Sequence, residues 1–363
     1  MIEGAAATME ATGPMTDTLR LSVLDQSPVS EGFTGADALR NTLDLARLAD
    51  QLGYRRYWVA EHHGTPMLAC AAPEAIIGPI ATLTSRIKVG SGGVMLPHYS
   101  PLKVAETFSI LSALFPGRID LGIGRAPGTD QTTSFALQRD RRQPAPDDFP
   151  RQLAELLAYL EDRMPPNHAF ARLAALPGRP HVPEVWLLGS SLQSALWAAD
   201  TSLPYAFADF INPDGAEYAA HYRERFCPSD KLSAPRAIVA GFAICADTDA
   251  EAQRIASSAR MTRALLNRGR LVAVPPIETA LKFLAEHGPN ADSAARPRRA
   301  IVGSPATVRK GIEALAEAYG AEEVMIVTIT HEHAARRRSY ELIAEAFEFP
   351  RVQDQREAEL SRQ

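Results

Sequence analysis

Cysteine is scarce in this sequence, and its placement excludes two classes of small protein. The 363 residues include three cysteines, Cys70, Cys227 and Cys245, which lie far apart along the chain. An odd and widely spaced set excludes a disulfide scaffold and a zinc knuckle. We therefore expect reduced thiols and a cytoplasmic protein.

The sequence also lacks an excess of basic charge and a long apolar run. The 38 Lys and Arg residues are balanced by 43 Asp and Glu residues, for a formal net charge of −5. A mildly acidic chain has no broad basic field, so nucleic acid is not an expected partner. No apolar run reaches the roughly 20 residues that span a bilayer. Residues 1–18 lack the basic start and apolar stretch of a signal peptide. We therefore expect no membrane partner.

What remains is the composition of an ordinary globular protein. Hydrophobic residues make up 46% of the chain and charged residues 22%, which excludes a wholly disordered or collagen-like chain. A length of 363 residues suits two or three domains, or one large α/β barrel.

Short apolar runs alternate with amphipathic helices along most of the chain. The predicted strands are 19–24, 57–60, 87–89, 119–123, 185–188, 205–208, 237–246 and 324–329. The predicted helices are 36–52, 75–83, 101–114, 148–160, 191–199, 215–226, 248–266, 305–319 and 336–349. Apolar runs without alternation are typical of strands that are buried on both faces of a parallel sheet.

Eight such units predict an α/β fold, a single (β/α)8 TIM barrel over residues 19–350. Residues 1–18 and 351–363 are predicted to be tails, the first of them disordered. A doubly wound open sheet is the alternative, but it would require a domain break, and the chain has no obvious linker. Two connections, 126–147 and 267–299, exceed the usual length. We interpret 267–299 as a lid insertion before the last helix–strand unit, with a solvated insertion of no function as the alternative.

The ends of the predicted strands offer an anion site. In a TIM barrel, functional residues lie at the carboxyl ends of the strands. Ser190 and Ser191 stand between a strand and a helix, where free backbone N–H groups attract an anion. Ser194 adds a hydroxyl group, and Arg125 adds a cation at the end of the fourth strand. A phosphate site is one interpretation, and simple capping of the helix by serine is the other.

Two adjacent histidines end the second strand. His62 and His63 should point to opposite sides, one into the barrel mouth and the other toward the helix layer. They are therefore not expected to bind one metal together, and we predict no metal site. An inward histidine with an ordinary pKa near 6.5 could exchange a proton at cellular pH. The alternative is a histidine with a structural role only.

In combination and in order, several segments resemble the bacterial luciferase-like monooxygenases. They are 57–63 (YWVAEHH), 87–97 (IKVGSGGVMLP), 117–125 (GRIDLGIGR), 185–191 (VWLLGSS) and 302–305 (VGSP). The resemblance extends over about residues 19–349 and is strongest to the branch that works without a partner luciferase subunit. It implies a (β/α)8 barrel that uses reduced FMN and O2 to oxygenate a small organic substrate. It further implies a separate flavin reductase that supplies the reduced FMN, and a homodimer.

The resemblance also implies roles for individual residues. His62 is similar to the family's catalytic histidine. Gly92 and Gly93 match a pair that packs against the isoalloxazine ring, often through a non-proline cis peptide. In the family, the positions beside the phosphate of the cofactor correspond to Arg125, Ser190, Ser191 and Ser194. The family often has an acidic residue near the position of Ser190.

Three other functions remain open from the sequence. The protein could be an F420-dependent oxidoreductase, with Arg268 and Arg270 available for a longer cofactor tail, or a non-catalytic flavin-binding barrel. A metal-dependent hydrolase is the third, but the HxH that such barrels carry on the first strand is absent here.

Overall fold

A computed structural model describes residues 19–125, 130–143, 147–173, 175–287 and 300–349. The predicted tails, 1–18 and 351–363, and the last part of the predicted lid, 288–299, lie outside these residues. The strands in this part of the chain are β1 (Arg20–Asp25), β2 (Arg56–Val59), β3 (Lys88–Met95), β4 (Ile119–Gly124), β5 (Glu184–Gly189), β6 (Tyr205–Ala208), β7 (Ala237–Cys245), β8 (Ile301–Gly303) and β9 (Glu323–Val327).

Helices follow most of the strands, in the order that a barrel requires. They are α1 (Gly35–Leu52), α2 (Pro73–Leu83), α3 (Pro101–Leu114), α4 (Gln131–Leu137), α5 (Phe149–Glu161), α6 (Leu192–Asp200), α7 (Ala216–Arg225), α8 (Asp249–Leu266), α9 (Ile277–His287), α10 (Pro305–Tyr319) and α11 (His333–Ala346). Capping residues set several boundaries. In α1, Thr34 and Asp37 form a capping box, and Gly53 ends the helix in the left-handed conformation with φ 91°.

Parallel pairing closes the sheet into a barrel. Each strand from β1 to β6 pairs with the next, β6 pairs with β7, and β9 joins β7 to β1. The predicted (β/α)8 barrel is therefore confirmed, and the open-sheet alternative is wrong. The short β8 lies outside the closed ring, because it pairs only with the carboxyl end of β7.

The main differences from the predicted elements lie where side chains are small or connections are long. Strand β3 runs six residues further than its apolar run, through a glycine-rich stretch. There, a Cβ on Gly90 would overlap the backbone of Asp120 in β4. The two long connections contain α4 and α9, which the sequence did not predict.

The described part of the predicted lid is anchored to the barrel. Helix α9 packs on α8. Just before it, the Val274 N–H donates to the Val29 carbonyl, and the Val274 carbonyl accepts from Glu31 N–H, both at 2.8 Å. The stretch 267–287 is therefore tied to the loop that follows β1.

The barrel interior has three levels. At its amino-terminal end, fully buried Arg56 pairs with Asp120 at 2.7 Å and with Glu323 at 3.0 Å. Above this charged level lies an apolar cluster that includes Trp58 and Trp186. At the carboxyl end, the cluster is covered by Leu188, Phe210, Phe242 and Ile329. This last level forms the floor of the barrel mouth.

Candidate active site

The mouth contains a cavity of about 540 Å³. Its floor includes Phe210, Phe242 and Ile329, and its walls come from the segments after β1 and β2 and from one face of α8. This volume suits a small-molecule site, and the position is the one at which TIM barrels carry their active sites. A second cavity of similar volume lies at the amino-terminal end, near Tyr54 and Phe347. That end serves stability in such barrels.

His62 lines the cavity with a buried and neutral ring. Its backbone N–H donates to the Cys70 carbonyl at 2.9 Å, which fixes the segment after β2. Nδ1 is buried and has no hydrogen-bond partner among the described residues. Burial, together with the nearby charge of His63, lowers the pKa of His62 to about 4. This value lies below the ordinary pKa near 6.5, because the ring is not solvated as it is in water.

His63 also lines the cavity, so the expectation that one of the two rings faces the helix layer is wrong. Its Nε2 lies 2.7 Å from Oε1 of the fully buried Glu61. The other carboxylate oxygen of Glu61 accepts from the Met95 N–H at 3.0 Å. Glu61 therefore links the end of β2, which bears the histidines, to the end of β3. The His63 ring meets His98 edge to face, with 5.9 Å between centroids.

Gly92 and Gly93 lie in β3, and the bond between them is a non-proline cis peptide. A Cβ on Gly92 would come within 2.5 Å of Leu24 Cδ1, and a Cβ on Gly93 within 2.8 Å of the Gly122 carbonyl oxygen. The backbone of β4 thus requires glycine at position 93, whereas at position 92 the nearest atom is the end of the flexible Leu24 side chain. Neither glycine is among the residues that line the cavity.

The predicted serines form a capping arrangement at the start of α6. Ser191 is the N-cap and forms a capping box with Ser194. The Ser194 hydroxyl also donates to the Ser191 carbonyl at 2.8 Å and lies 2.9 Å from the Tyr205 hydroxyl. The Ser190 carbonyl accepts from Asn212 Nδ2 at 3.0 Å. Capping is therefore a demonstrated role of Ser191 and Ser194, and the exposed Ser191 is the serine that faces solvent at the helix start.

Arg125 lies beside the same helix. It follows β4, pairs with Asp147 at 2.8 Å and is half exposed. Its guanidinium carbon lies 5.6 Å from the centroid of Trp197, a residue of α6. The structure thus brings Arg125 and the three serines to one helix. This helix adjoins the cavity through 210–212, because Asn212 binds Ser190 while Phe210 and Ile211 line the cavity.

Sequence reasoning missed the contribution of α8. Ala256, Ala259, Arg260 and Arg263 line the cavity at positions i, i+3, i+4 and i+7 of this helix. That spacing is visible in the sequence, but the side of the helix that faces the mouth is not.

The described residues lack two further features. No group of three or more His, Cys, Asp or Glu residues is arranged there to hold a metal ion. Nor does any helix in these ranges have the length and hydrophobicity required to cross a membrane.

Two of the structures that resemble this barrel share little sequence identity with it, so the likeness shows a common fold and no more. The oxygenating constituent of 3,6-diketocamphane monooxygenase from the CAM plasmid of Pseudomonas putida, in complex with FMN, is 21% identical. Its TM-score is 0.69, and the match covers 91% of this chain and 98% of that one. An F420-dependent secondary alcohol dehydrogenase in complex with an F420–acetone adduct is 15% identical, with a TM-score of 0.64 and coverage of 91% and 99%.

Nearer relatives share almost the whole chain. YwcH of Bacillus subtilis (strain 168) is 46% identical over 329 residues, which are 90% of this chain and 98% of the relative. The N-acetyl-S-alkylcysteine monooxygenase of the same strain is 38% identical over 331 residues, 90% and 98% of the two chains. The crystal structure of apo-MsnO8 is 44% identical, with a TM-score of 0.85 and coverage of 92% and 99%. The model of the luciferase-like monooxygenase family matches residues 19–322. The chain therefore belongs to the luciferase-like monooxygenase family and is an oxidoreductase, as its strand-end segments indicate.

Proposed function

We propose that this protein is a flavin-dependent monooxygenase that uses reduced FMN and O2 to oxygenate a small organic substrate. A separate flavin reductase supplies the reduced FMN. The observation that carries the proposal is the cavity at the barrel mouth, which is largely apolar and contains the buried, neutral ring of His62. The relationship to a relative named N-acetyl-S-alkylcysteine monooxygenase supports an oxygenation reaction.

The residues present fit FMN. The largely apolar lining of the cavity beside His62 suits a flat aromatic ring. Nδ1 of His62 is a buried polar atom without a partner among the described residues, as expected of a group that meets a ligand. On the phosphate side, Arg125 and the amino-terminal end of α6 offer a cation and backbone donors. We assign the phosphate to Arg125, Ser190, Ser191 and Ser194. From the family resemblance alone, we assign the ring to Gly92 and Gly93, which do not line the cavity.

The residues of the chain then exclude water, exchange a proton and position the histidines. Reduced FMN, when bound, supplies the reactivity toward O2. The apolar walls exclude water from the reacting groups. Because His62 is neutral at pH 7, one ring nitrogen carries a proton that it can donate, and the other can accept one. Glu61 positions this region by linking His63 to the backbone of Met95.

Replacement of His62 tests the catalytic role. We expect His62→Ala to bind FMN within a few fold of the wild type, and to lose about 100-fold or more in coupled turnover. Oxygen uptake and product formation are measured with a flavin reductase and NADH. His221→Ala is the matched control, since His221 is exposed on α7. Unchanged coupled turnover in His62→Ala would reject the catalytic role of this residue.

A cofactor titration separates the remaining functions. We expect tight binding of FMN, weaker binding of riboflavin, which lacks the phosphate, and no tighter binding of F420. Arg125→Gln should weaken the binding of FMN and leave that of riboflavin unchanged. A preference for F420 would indicate a hydride-transferring oxidoreductase. FMN binding without oxygen uptake, across a panel of substrates, would indicate a non-catalytic flavin-binding barrel.

We also propose a homodimer in the cytoplasm. Adjacent helices α2 and α3 expose Leu83, Ile110 and Leu114, with Leu114 65% exposed. Apolar side chains on neighbouring helices are typical of surfaces that another subunit covers. All three cysteines are free, as expected in a reducing compartment. Light scattering during gel filtration measures the oligomeric state, and Leu114→Glu should shift a dimer toward the monomer.

A further inference from the structure

Arg260 is an arginine of the cavity wall with a neutral hydrogen-bond partner. It is half-buried on α8 and lines the apolar cavity. Among the described residues, its hydrogen-bond partner is the neutral amide of Gln253, and it forms no ion pair there. A guanidinium group beside apolar walls is suited to pair with an anionic ligand that enters the cavity.

The neutral partner holds Arg260 in place. Gln253 stands two turns earlier on α8 and accepts a hydrogen bond from Arg260 Nη2 through Oε1. Its Nε2 donates to the Val302 carbonyl in β8 at 3.3 Å. Gln253 thus links Arg260 to a strand at the barrel rim and orients the guanidinium without neutralising it.

No ion pair joins Arg260 to another charged residue in the described part of the cavity lining. The one carboxylate among the described lining residues is Asp130. Both of its oxygens are used at the start of α4, where they accept from the Thr133 N–H at 3.0 Å and the Thr133 hydroxyl at 2.7 Å. Arg263, one turn after Arg260, also lines the cavity. Its guanidinium carbon lies 5.0 Å from the centroid of Phe242, over the cavity floor.

We infer that the substrate is a small organic acid, whose carboxylate binds Arg260 and whose apolar part lies on Phe210 and Phe242. The planar guanidinium suits the two oxygens of a carboxylate. The two rings, 5.4 Å apart, provide an aromatic surface for the apolar part. The inference rests on the proposed function, because it places the organic substrate in the cavity that also receives FMN.

A pair of probes that differ in charge tests this inference. Phenylbutyrate and phenylbutyramide have nearly the same shape, but only the first is an anion. Calorimetric titration of the full-length protein, first without flavin and then with saturating FMN, measures both affinities. We expect the wild type to bind the acid at least about tenfold more tightly than the amide.

Variants of α8 test whether Arg260 causes the preference for the acid over the amide. Arg260→Gln should bring the ratio of acid to amide affinity close to one, and Arg260→Lys should restore part of it. Gln253→Glu leaves Arg260 intact but pairs it with a carboxylate, so it should also reduce the ratio. Arg254→Gln is the matched control. It removes the same charge from the same helix, but Arg254 pairs with Glu251 and Glu278 and does not line the cavity.

Three results would overturn the inference: equal affinity of the wild type for acid and amide, no binding of either probe, or an unchanged ratio in Arg260→Gln. A loss of FMN affinity in Arg260→Gln with an unchanged ratio would assign this arginine to the flavin phosphate instead. Failure of the proposed function is distinguishable. A protein that does not bind FMN, but prefers the acid in an Arg260-dependent manner, would refute the monooxygenase proposal and leave the acid site in place.

Discussion

The depressed pKa of His62 predicts that this one residue makes the fold sensitive to acid. In the unfolded chain its imidazole has the ordinary pKa of 6.5, whereas in the folded protein the pKa is about 4. Between these values the unfolded chain binds a proton that the folded protein does not. Stability is therefore fully retained above about pH 6.5 and is lost as the pH falls through this window.

The size of the effect follows from the difference in pKa. At about pH 5 the unfolded histidine is almost fully protonated and the folded one is almost neutral. The linkage relation then gives a loss of about 2 kcal/mol in the free energy of unfolding, relative to about pH 7.5. His62→Asn removes the imidazole, and with it this part of the pH dependence.

Urea unfolding of the wild type and of His62→Asn, at about pH 7.5 and about pH 5, measures this difference. The wild type should lose about 2 kcal/mol more than the variant between the two conditions. His221→Asn is the control and should follow the wild type, because its ring is exposed to solvent on α7. Equal losses in the wild type and His62→Asn would show that the His62 ring is not desolvated as the structure indicates.

Two further predictions concern the barrel itself, and both are measured by urea unfolding. Arg56→Met should lower the free energy of unfolding by about 3–5 kcal/mol, because it leaves buried carboxylates without their counter-charge. Arg40→Met, which removes an exposed arginine, should produce no measurable change. Gly189→Ala should cost about 1–3 kcal/mol, because its Cβ would overlap the Ser194 side chain. Gly35→Ala, where the nearest atom is 3.7 Å away, should be tolerated, and equal costs for the two alanines would contradict the packing argument.

The fold could largely be predicted, because the signals for buried strands and capped helices are local. The predictions for β4 and β6 agree with the structure within one residue at each end. Strand β3 was predicted too short, because its glycines resemble a turn in sequence. Glycine is needed there because β4 approaches β3 closely, and this contact is visible only in the assembled sheet. Strand β8 was missed because three residues that pair with one end of β7 leave almost no periodic signal.

The site was predictable only to the level of strand ends and family resemblance. The sequence identifies His62, but its lowered pKa depends on burial that no local pattern encodes. Serines at a helix start are equally consistent with capping and with anion binding, and the structure shows that capping is present. The spacing of the cavity-lining residues on α8 shows that they share one face of the helix. The orientation of that face toward the mouth depends on how α8 packs against β7 and β8.

Arg56 and Arg260 are arginines at opposite ends of the barrel, and they differ in the charge of their partners. At the closed end, Arg56 is fully buried and lies within 3.3 Å of three carboxylates, so its charge is compensated within the chain. At the open end, Arg260 is held by a neutral amide. A buried guanidinium that only stabilises the fold requires internal counter-charges, since an unpaired charge away from water is costly. Arg260 is half-buried and has no such counter-charge among the described residues, and this contrast is the reason that we propose an anionic ligand as its partner.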